Sequence, residues 1–532
     1  MADASTAVPQ QPLKISRSGC WGMVVSPHTV ASQAGYEILS QGGNAVDAAI
    51  AVNAALSVTY PHMTGLGSDG LWLIYEAASG KVLGLNGSGR AAQSLSCGQK
   101  IPQRGAAAAV TVPGAVDAWW QAHQRFGRLP WAQLLRPAAD LAKKGYPLSS
   151  SQARWSQKDS QLLGQNPAAA ALFLPPGRPG QPTQNLELAQ VLELLAQEGA
   201  AAFYRGEIAQ LIVADLALLG CPLTLQDFAN HHSDWVEPIS TTYRGYRIYQ
   251  LPPNTQGLTV LQILNLIEPY DIAQLSEPDY YHLMVEATKL AFRDRSRWIG
   301  DPTFSDIPVE QLISKDYADR LRGEISWQQA RRQTADGGGG DTTYSAVVDR
   351  WGNGVSLLQS LYFDYGCGVA PAGLGFVLNN RGALFSQEPG HVNVTAPGKR
   401  PLHTLIPAMA LHQDRLSLVF GTMGGEGQPQ TQTALLTRVL DLGLDIQTAI
   451  NQPRWRWGRT WGQTDVRLAL EGRIDAEICQ ALRRRGHRLS QEPPWSEAMG
   501  HAHMIQLQPT QVLGACDPRS DGVAVGLGST LR

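Results

Sequence analysis

The most reactive feature of the sequence lies where a glycine run meets two threonines. Residues 337–344 read GGGGDTTY and lead from a polar segment into a β-rich stretch. This design makes sense if the peptide bond between Asp341 and Thr342 is cleaved. The freed threonine would carry a hydroxyl nucleophile and its own α-amine, which titrates at about pH 8 and can act as a general base. On spacing alone, a surface loop before an edge strand is the simpler interpretation.

Two further features would suit acyl transfer. Gly424 and Gly425 follow an apolar strand in FGTMGGEGQ, and no side chain obstructs the approach of an oxyanion to their N–H groups. Arg90 follows a strand and a glycine turn in LNGSGRAA, where its guanidinium can bind a substrate carboxylate through two hydrogen bonds. Glycine turns and surface arginines are common, so neither feature alone indicates a site.

Other motifs favour structural roles. Residues 65–70 match GxGxxG, but a strand-like LWLIYEA follows where a dinucleotide site needs a helix, so a tight turn is favoured. His501 and His503 can share one face of a strand, but no third metal ligand is evident nearby, so we expect a half-buried pair. The six cysteines show no CxxC spacing and are expected to be free thiols. We therefore expect neither a metal nor a cofactor.

Helical and strand patterns alternate along the chain, which favours a layered α/β fold. Small apolar residues flank Gly42-Gly43 and predict two closely packed helices within residues 34–58. Strands are predicted at 71–77 and 81–87, and a hairpin at 241–251. A helix is predicted at 276–298 and a mobile linker at 327–341. Two strands around a turn at 350–353 follow the linker and would position Thr342.

The composition excludes several functional classes. With 532 residues, 43% of them hydrophobic and 17% charged, the chain can bury a sizeable core. The net charge of −2 gives no electrostatic basis for binding nucleic acid or an anionic membrane. No run approaches the roughly 20 apolar residues of a membrane helix, and the N-terminal residues lack the apolar core of a signal peptide. We therefore expect a cytoplasmic protein that binds neither nucleic acid nor membrane.

Nine motifs spread along nearly the whole chain resemble those of the γ-glutamyltransferase family. They are GGNAVDAAIA (42–51), TGLGSDG (64–70), TVPGAVDAW (111–119), PPNTQG (252–257), DTTYSAVVD (341–349), NNRG (379–382), PGKRPLHTLIPA (397–408), GTMGGEGQ (421–428) and ACDPRSDG (515–522). The resemblance implies an α/β fold, the four-layer αββα sandwich of the N-terminal nucleophile hydrolases. It also implies autocatalytic cleavage between Asp341 and Thr342, which gives a large chain, 1–341, and a small chain, 342–532, in one interlocked unit.

The same resemblance assigns roles to individual residues. Thr342 corresponds to the nucleophile, and Ser360 to a hydroxyl that supports it. Gly424 and Gly425 correspond to the oxyanion hole, and Arg90 to the arginine that binds the substrate carboxylate.

Around the substrate, the sequence departs from the family pattern. Tyr362 replaces an asparagine in the strand after the nucleophile. Arg381 and Leu384 replace the glutamine and aspartate that hold the α-amine of a glutamyl group. His403 and Thr404 replace two serines. We expect Tyr362, Arg381, His403 and Thr404 to contact the substrate. The side chain of Leu384 has no polar atoms and is not expected to bind it.

These departures predict a different substrate. A pocket with Arg90 and Arg381 but no acid would prefer an anion that lacks an ammonium group. The chain resembles a divergent cytoplasmic branch that includes oxamate amidohydrolases and cephalosporin-acylase-like enzymes. We therefore expect hydrolysis of a small anionic amide such as oxamate through an acyl-enzyme on Thr342. The alternatives are a γ-glutamyl hydrolase or transferase for glutathione-like substrates, and an inactive scaffold, against which the intact Asp341-Thr342 junction argues.

Overall fold

Two antiparallel β-sheets of seven strands each form the centre of the computed structural model, which describes residues 14–332, 341–458 and 466–528. The strands are β1 Arg17–Gly19, β2 Gly22–Val25, β3 Asp69–Glu76, β4 Lys81–Gly87, β5 Tyr146–Pro147, β6 Pro182–Thr183, β7 Asp234–Val236, β8 Ile239–Tyr243, β9 Tyr246–Gln250, β10 Asp341–Val348, β11 Gly354–Tyr362, β12 Ala408–His412, β13 Arg415–Thr422, β14 Trp455–Gly458, β15 Arg467–Glu471, β16 Leu489–Glu492, β17 Ala502–Leu507, β18 Val512–Cys516 and β19 Ala524–Leu527. The first sheet has the order β19-β2-β10-β11-β3-β4-β7, and the second has the order β1-β18-β17-β13-β12-β9-β8.

Helices cover the outer faces of both sheets. They are α1 Thr29–Ser40, α2 Ala45–Thr59, α3 Ala115–Phe126, α4 Trp131–Lys144, α5 Ser150–Lys158, α6 Ser160–Leu163, α7 Pro167–Phe173, α8 Leu186–Glu198, α9 Ala201–Tyr204, α10 Glu207–Leu218, α11 Leu225–Ala229, α12 Gly257–Ile267, α13 Glu277–Trp298, α14 Val309–Leu312, α15 Lys315–Arg322, α16 Gly427–Leu440, α17 Ile446–Asn451 and α18 Ala476–Arg484. Within the described ranges, no helix is both long and apolar enough to cross a bilayer.

The alternation of side chains along β10 shows how the layers are built. Tyr344, Ala346 and Val348 belong to the apolar core between the two sheets, whereas Val347 packs in the core under α1–α4 and α8. A separate core joins the second sheet to α12, α13 and α16–α18. The structure therefore has four layers, which confirms the predicted αββα sandwich.

Most of the predicted elements are present near their predicted bounds. The two helices around Gly42-Gly43 are α1 and α2, and the strands on either side of the 350–353 turn are β10 and β11. The predicted linker at 327–341 falls largely outside the described residues. Both large sheets contain strands from before and after the Asp341-Thr342 junction, so the two parts of the chain build the same sheets.

Candidate active site

Thr342 and Ser360 meet at an irregularity in the pairing of β10 with β11. Asp341 pairs with Tyr362 and Thr343 with Gln359, so two residues of β11 lie opposite Thr342. Such bulges are common beside active sites because they redirect a side chain. Here the Thr342 hydroxyl donates a hydrogen bond to Ser360 Oγ at 3.2 Å, and the Thr342 side chain is buried.

Tyr362 ends β11 in an unusual backbone conformation. Its φ is +83°, a region that residues other than glycine rarely occupy. Its N–H donates to Ser360 Oγ at 2.8 Å, so one serine oxygen orders both the threonine and the end of the strand. The Tyr362 ring stacks on Phe363, and the guanidinium carbon of Arg381 lies 4.8 Å from its centre.

Arg381 is fully buried in a polar cluster with Asp69, His403 and Thr404. Its Nη1 donates to Thr404 Oγ1 at 3.2 Å, and its Nε lies 3.6 Å from Asp69 Oδ2. His403 Nδ1 accepts the N–H of Leu405 at 3.3 Å, so Nε2 carries the proton that is donated to Asp69 Oδ2 at 3.0 Å. Among the described residues, Arg381 Nη2 has no hydrogen-bond partner.

Burial shifts the protonation equilibria of this cluster. It lowers the pKa of His403 to about 4, and the charge of Arg381 adds to the effect, so the imidazole is neutral at neutral pH. Burial also lowers the pKa of Arg381 to about 10, which leaves it charged. Burial alone would raise the pKa of Asp69, but the hydrogen bond from His403 and the charge of Arg381 hold it below its usual value. The cluster thus holds a buried ion pair.

Gly424 and Gly425 lie between β13 and α16, and both of their carbonyl oxygens accept hydrogen bonds within the protein. The Gly424 oxygen accepts from Gly427 N at 2.7 Å, and the Gly425 oxygen accepts from Gln256 Nε2 at 3.0 Å. In the described part of the chain, neither glycine N–H donates a hydrogen bond to the protein. Gln256 Nε2 also donates to the main-chain carbonyl of Thr404 at 2.9 Å, which ties the glycine pair to the polar cluster.

A cavity of about 310 Å³ opens beside these residues, a size at the lower end for small-molecule sites. Three of the predicted positions, Tyr362, Leu384 and Thr404, line it. The other described lining residues are Gln103, Arg295, Ser296, Phe363, Ala383, Phe385, Ser386, Gln387, Glu388, His391, Asn393, Leu402 and Glu426. His403 is not among them, because its ring is turned to Asp69.

Several charged residues of the site are not predicted from the sequence. Glu426 lines the cavity and pairs with Arg295 at 2.6 Å, and both side chains are buried. The expectation of a pocket without an acid is therefore wrong. Asp69 lies in the 65–70 motif, whose glycines pointed only to a turn. Asp69 could have been found from its position at the start of the apolar strand LWLIYE, because a charge that is buried there needs partners.

The structure does not bring Arg90 to the cavity. Its Nη2 donates to Asp234 Oδ2 at 2.9 Å and its Nη1 to the carbonyl of His232 at 3.2 Å. Arg400 contacts the same Asp234 carboxylate. Arg90 is thus held in an ion-pair network. Like Thr342, Ser360, Arg381 and the glycine pair, it is not among the described residues that line the cavity.

The histidine pair His501 and His503, expected to be half-buried, is completely buried. His503 stacks on Tyr344, with their ring planes 10° apart. A different group, His282, Glu286 and His487, has atoms close enough to share a metal. However, His282 hydrogen-bonds to His487 at 2.8 Å and Glu286 pairs with Lys289 at 2.6 Å, so these contacts already satisfy the group.

The αββα sandwich is that of the N-terminal nucleophile hydrolases, and the candidate site lies where its central strand β10 begins. A family model described as gamma-glutamyltranspeptidase matches residues 31–527, and the chain belongs to this family.

Several proteins similar to this chain are named as hydrolases, amidohydrolases or acylases. The chain is 45% identical over 516 residues to a protein of Bacillus subtilis named glutathione hydrolase-like YwrD proenzyme, covering 95% of this chain and 98% of the relative. It is 41% identical over 520 residues to the oxamate amidohydrolase proenzyme of Klebsiella pneumoniae, with the same coverage. The crystal structure of cephalosporin acylase from Bacillus halodurans superposes with a TM-score of 0.91 over 100% of both chains, at 36% identity. The chain is accordingly an amide-bond hydrolase.

Proposed function

We propose that the chain cleaves itself between Asp341 and Thr342 and then hydrolyses a small anionic amide through an acyl-enzyme on Thr342. The resulting large chain, 1–341, and small chain, 342–532, stay together because each sheet contains strands of both. The hydrogen bond from the Thr342 hydroxyl to Ser360 Oγ is the observation that carries the proposal, since it fixes a nucleophile at the start of a central strand.

The chemistry follows from these groups. The Thr342 oxygen attacks the amide carbonyl while its proton passes to the freed α-amine, and the carbonyl oxygen gains negative charge. The N–H groups of Gly424 and Gly425, which donate to no acceptor in the described part of the chain, would stabilise that charge. The C–N bond then breaks as the α-amine returns the proton to the leaving amine. Water, deprotonated by the same amine, finally hydrolyses the ester.

Arg381 supports the proposal that the acyl group of the substrate is anionic. Its charged side chain is buried against Thr404 and Tyr362, both of which line the cavity, and its Nη2 is unpartnered among the described residues. Leu384 lines the same cavity and offers no acceptor for an ammonium group. The similarity to an oxamate amidohydrolase is consistent with such a substrate.

Glu426 favours a second candidate, a γ-glutamyl hydrolase or transferase. A carboxylate on the cavity wall can accept a hydrogen bond from a substrate ammonium group, although Arg295 neutralises part of its charge. The relative named glutathione hydrolase-like is consistent with this alternative.

A competition assay distinguishes the two candidates. We expect the mature enzyme to release ammonia from oxamate with a higher kcat/KM than it shows for γ-glutamyl p-nitroanilide, and Thr342→Ala to act on neither. A preference of about tenfold or more for the γ-glutamyl amide, equal to about 1.4 kcal/mol, would establish the second candidate instead.

A cytoplasmic location belongs to the same proposal. It rests on the six cysteines, all free thiols, and cell fractionation tests it.

A further inference from the structure

A short loop, residues 499–501, packs directly against Met423 and Gly424, at the start of the glycine pair. The N–H of Met423 donates to the carbonyl of His501 at 3.0 Å. Gly500 has a φ of +82°, and a Cβ at this position would lie 2.4 Å from the Met423 oxygen. A Cβ on Gly424 would in turn lie 3.4 Å from the Cα of Gly500. The Met423–Gly424 peptide therefore rests on the backbone of Gly500, and the position of one determines that of the other.

A buried arginine holds this loop in place. Arg454 Nη1 donates to the carbonyl oxygens of Gly500 at 2.7 Å and Met499 at 3.2 Å. Its Nη2 donates to Asp517, which also accepts the N–H of Ala502 at 2.7 Å. Both Arg454 and Asp517 are almost completely buried. One ion pair thus fixes the backbone on both sides of His501.

The ion pair belongs to a larger buried network. Arg519 donates to Asp517 Oδ1 at 3.0 Å and to Glu471 Oε2 at 2.5 Å, and Arg473 Nε donates to Glu471 Oε1 at 3.0 Å. Hydrophobic packing is often at least as stabilising as buried ion pairs, which points to a positional role for such a network. Arg473 reaches Glu471 and the Asn451 carbonyl but makes no described contact with residues 499–501, so it is a natural control.

We propose that Arg454 is a positioning residue that keeps the N–H groups of Gly424 and Gly425 aimed at the developing oxyanion, acting through the backbone of Gly500. The inference rests on the proposed function, in which these N–H groups stabilise the transition state. Loss of one oxyanion donor typically lowers kcat by about 10²–10³, and a displacement of about 1 Å can lower the rate by about 10². Interactions made mainly in the transition state affect kcat rather than KM.

The test compares Arg454→Met with Arg473→Met in the mature enzyme, with oxamate and γ-glutamyl p-nitroanilide as substrates. We expect Arg454→Met to lower kcat at least about tenfold with KM within about twofold, and Arg473→Met to leave kcat within about twofold. Arg454→Lys should recover part of the loss, because an ammonium group can still donate to the Gly500 carbonyl. Wild-type kcat in Arg454→Met, or an equal loss in Arg473→Met, would overturn the inference.

Two further measurements keep the inference testable if Arg454→Met folds poorly or neither substrate is turned over. Gly500→Ala should lower kcat similarly, because its methyl group would displace the Met423 carbonyl. Hydrogen exchange of the Met423 amide, which donates to the His501 carbonyl, should rise in Arg454→Met or Arg454→Lys but not in Arg473→Met, and equal exchange would contradict the inference. The proposed function fails separately, if Thr342→Ala still hydrolyses amides. If Thr342→Ala is inactive while Arg454 and Gly500 variants behave as wild type, only the positioning role is wrong.

Discussion

Ser360 Oγ accepts the hydrogen bond of the Thr342 hydroxyl at a point where the strand pairing is irregular. The same oxygen accepts the N–H of Tyr362, whose φ is +83°. The nucleophile, its supporting hydroxyl and the cavity wall are therefore parts of one strand pair. A substitution of Thr342, Ser360 or Tyr362 should therefore alter the positions of the other two.

Self-cleavage should depend on Thr342 and not on its neighbour. Wild-type protein should yield chains of 341 and 191 residues (532 − 341 = 191), with Thr342 as the new N-terminus. Thr342→Ala should remain a single chain, because no hydroxyl is left to attack the preceding carbonyl. Thr343→Ala is the matched control, since the Thr343 hydroxyl donates to the Gln359 carbonyl on the neighbouring strand, and it should still be cleaved. Intact-mass spectrometry checks both variants. An uncleaved wild type that turns over substrate would refute the proposed cleavage.

Removal of the Ser360 hydroxyl should slow catalysis more than it alters binding. In Ser360→Ala, the Thr342 hydroxyl and the Tyr362 N–H both lose their acceptor. The Ser360 hydroxyl orients the Thr342 oxygen, and a misplacement of about 1 Å can lower a rate by about 10², so we expect kcat to fall about ten- to hundredfold. Ser360→Thr keeps the hydroxyl and should retain most of the activity. Steady-state kinetics of pre-cleaved enzyme provide the measurement, and equal activity of the Ala and Thr variants would exclude this role.

Leu384→Asp should shift the preference toward γ-glutamyl substrates. Leu384 lines the cavity, so a carboxylate there would face a substrate ammonium group. We expect the ratio of kcat/KM for γ-glutamyl p-nitroanilide to that for oxamate to rise at least about tenfold. Leu384→Asn has the same size without the charge and should shift the ratio much less. A double variant with Arg381→Gln is less informative, because it removes the arginine beside the buried Asp69 carboxylate. An unchanged ratio in Leu384→Asp would show that residue 384 does not set specificity.

His403 should make stability fall in mild acid. Its pKa is about 4 in the folded chain because of burial, against about 6.5 when unfolded. Between these values only the unfolded chain binds the proton, so stability decreases as pH falls from about 6.5 to about 4. In the uncleaved Thr342→Ala background, the protein with His403 should lose about 1.4 kcal/mol per pH unit relative to the protein with His403→Gln. Urea unfolding of both proteins at several pH values measures this difference. A difference that does not vary with pH would contradict the assigned pKa.

Arg90→Ala should have little effect on substrate binding. Arg90 is partly exposed and shares Asp234 with Arg400, which stays to neutralise that carboxylate. We expect KM to stay within about twofold, with a stability change of at most about 1 kcal/mol. Initial-rate kinetics decide the matter. A rise in KM of about tenfold would restore the role that the family resemblance assigns to Arg90.

The sequence predicts the parts of the site that are local along the chain. The β-rich runs around the 350–353 turn predict two adjacent strands, the glycine run points to Thr342, and the family resemblance assigns Ser360; both residues are found on these strands. The contacts of Asp69 with His403 and of Glu426 with Arg295 join residues 334 and 131 positions apart. No local pattern encodes such pairs, because they depend on how the two sheets stack. The expectation for Arg90 did not include Asp234 and Arg400, since both lie far away in sequence.

The sharing of both sheets across residues 341 and 342 has a kinetic consequence. The precursor can assemble its two sheets in a unimolecular reaction, because strands on both sides of the junction belong to one chain. After cleavage, the same sheets would have to form from two molecules, so refolding of the denatured mature enzyme would depend on concentration. Assembly would then be efficient only before the cut, and the mature enzyme would persist mainly because it unfolds slowly.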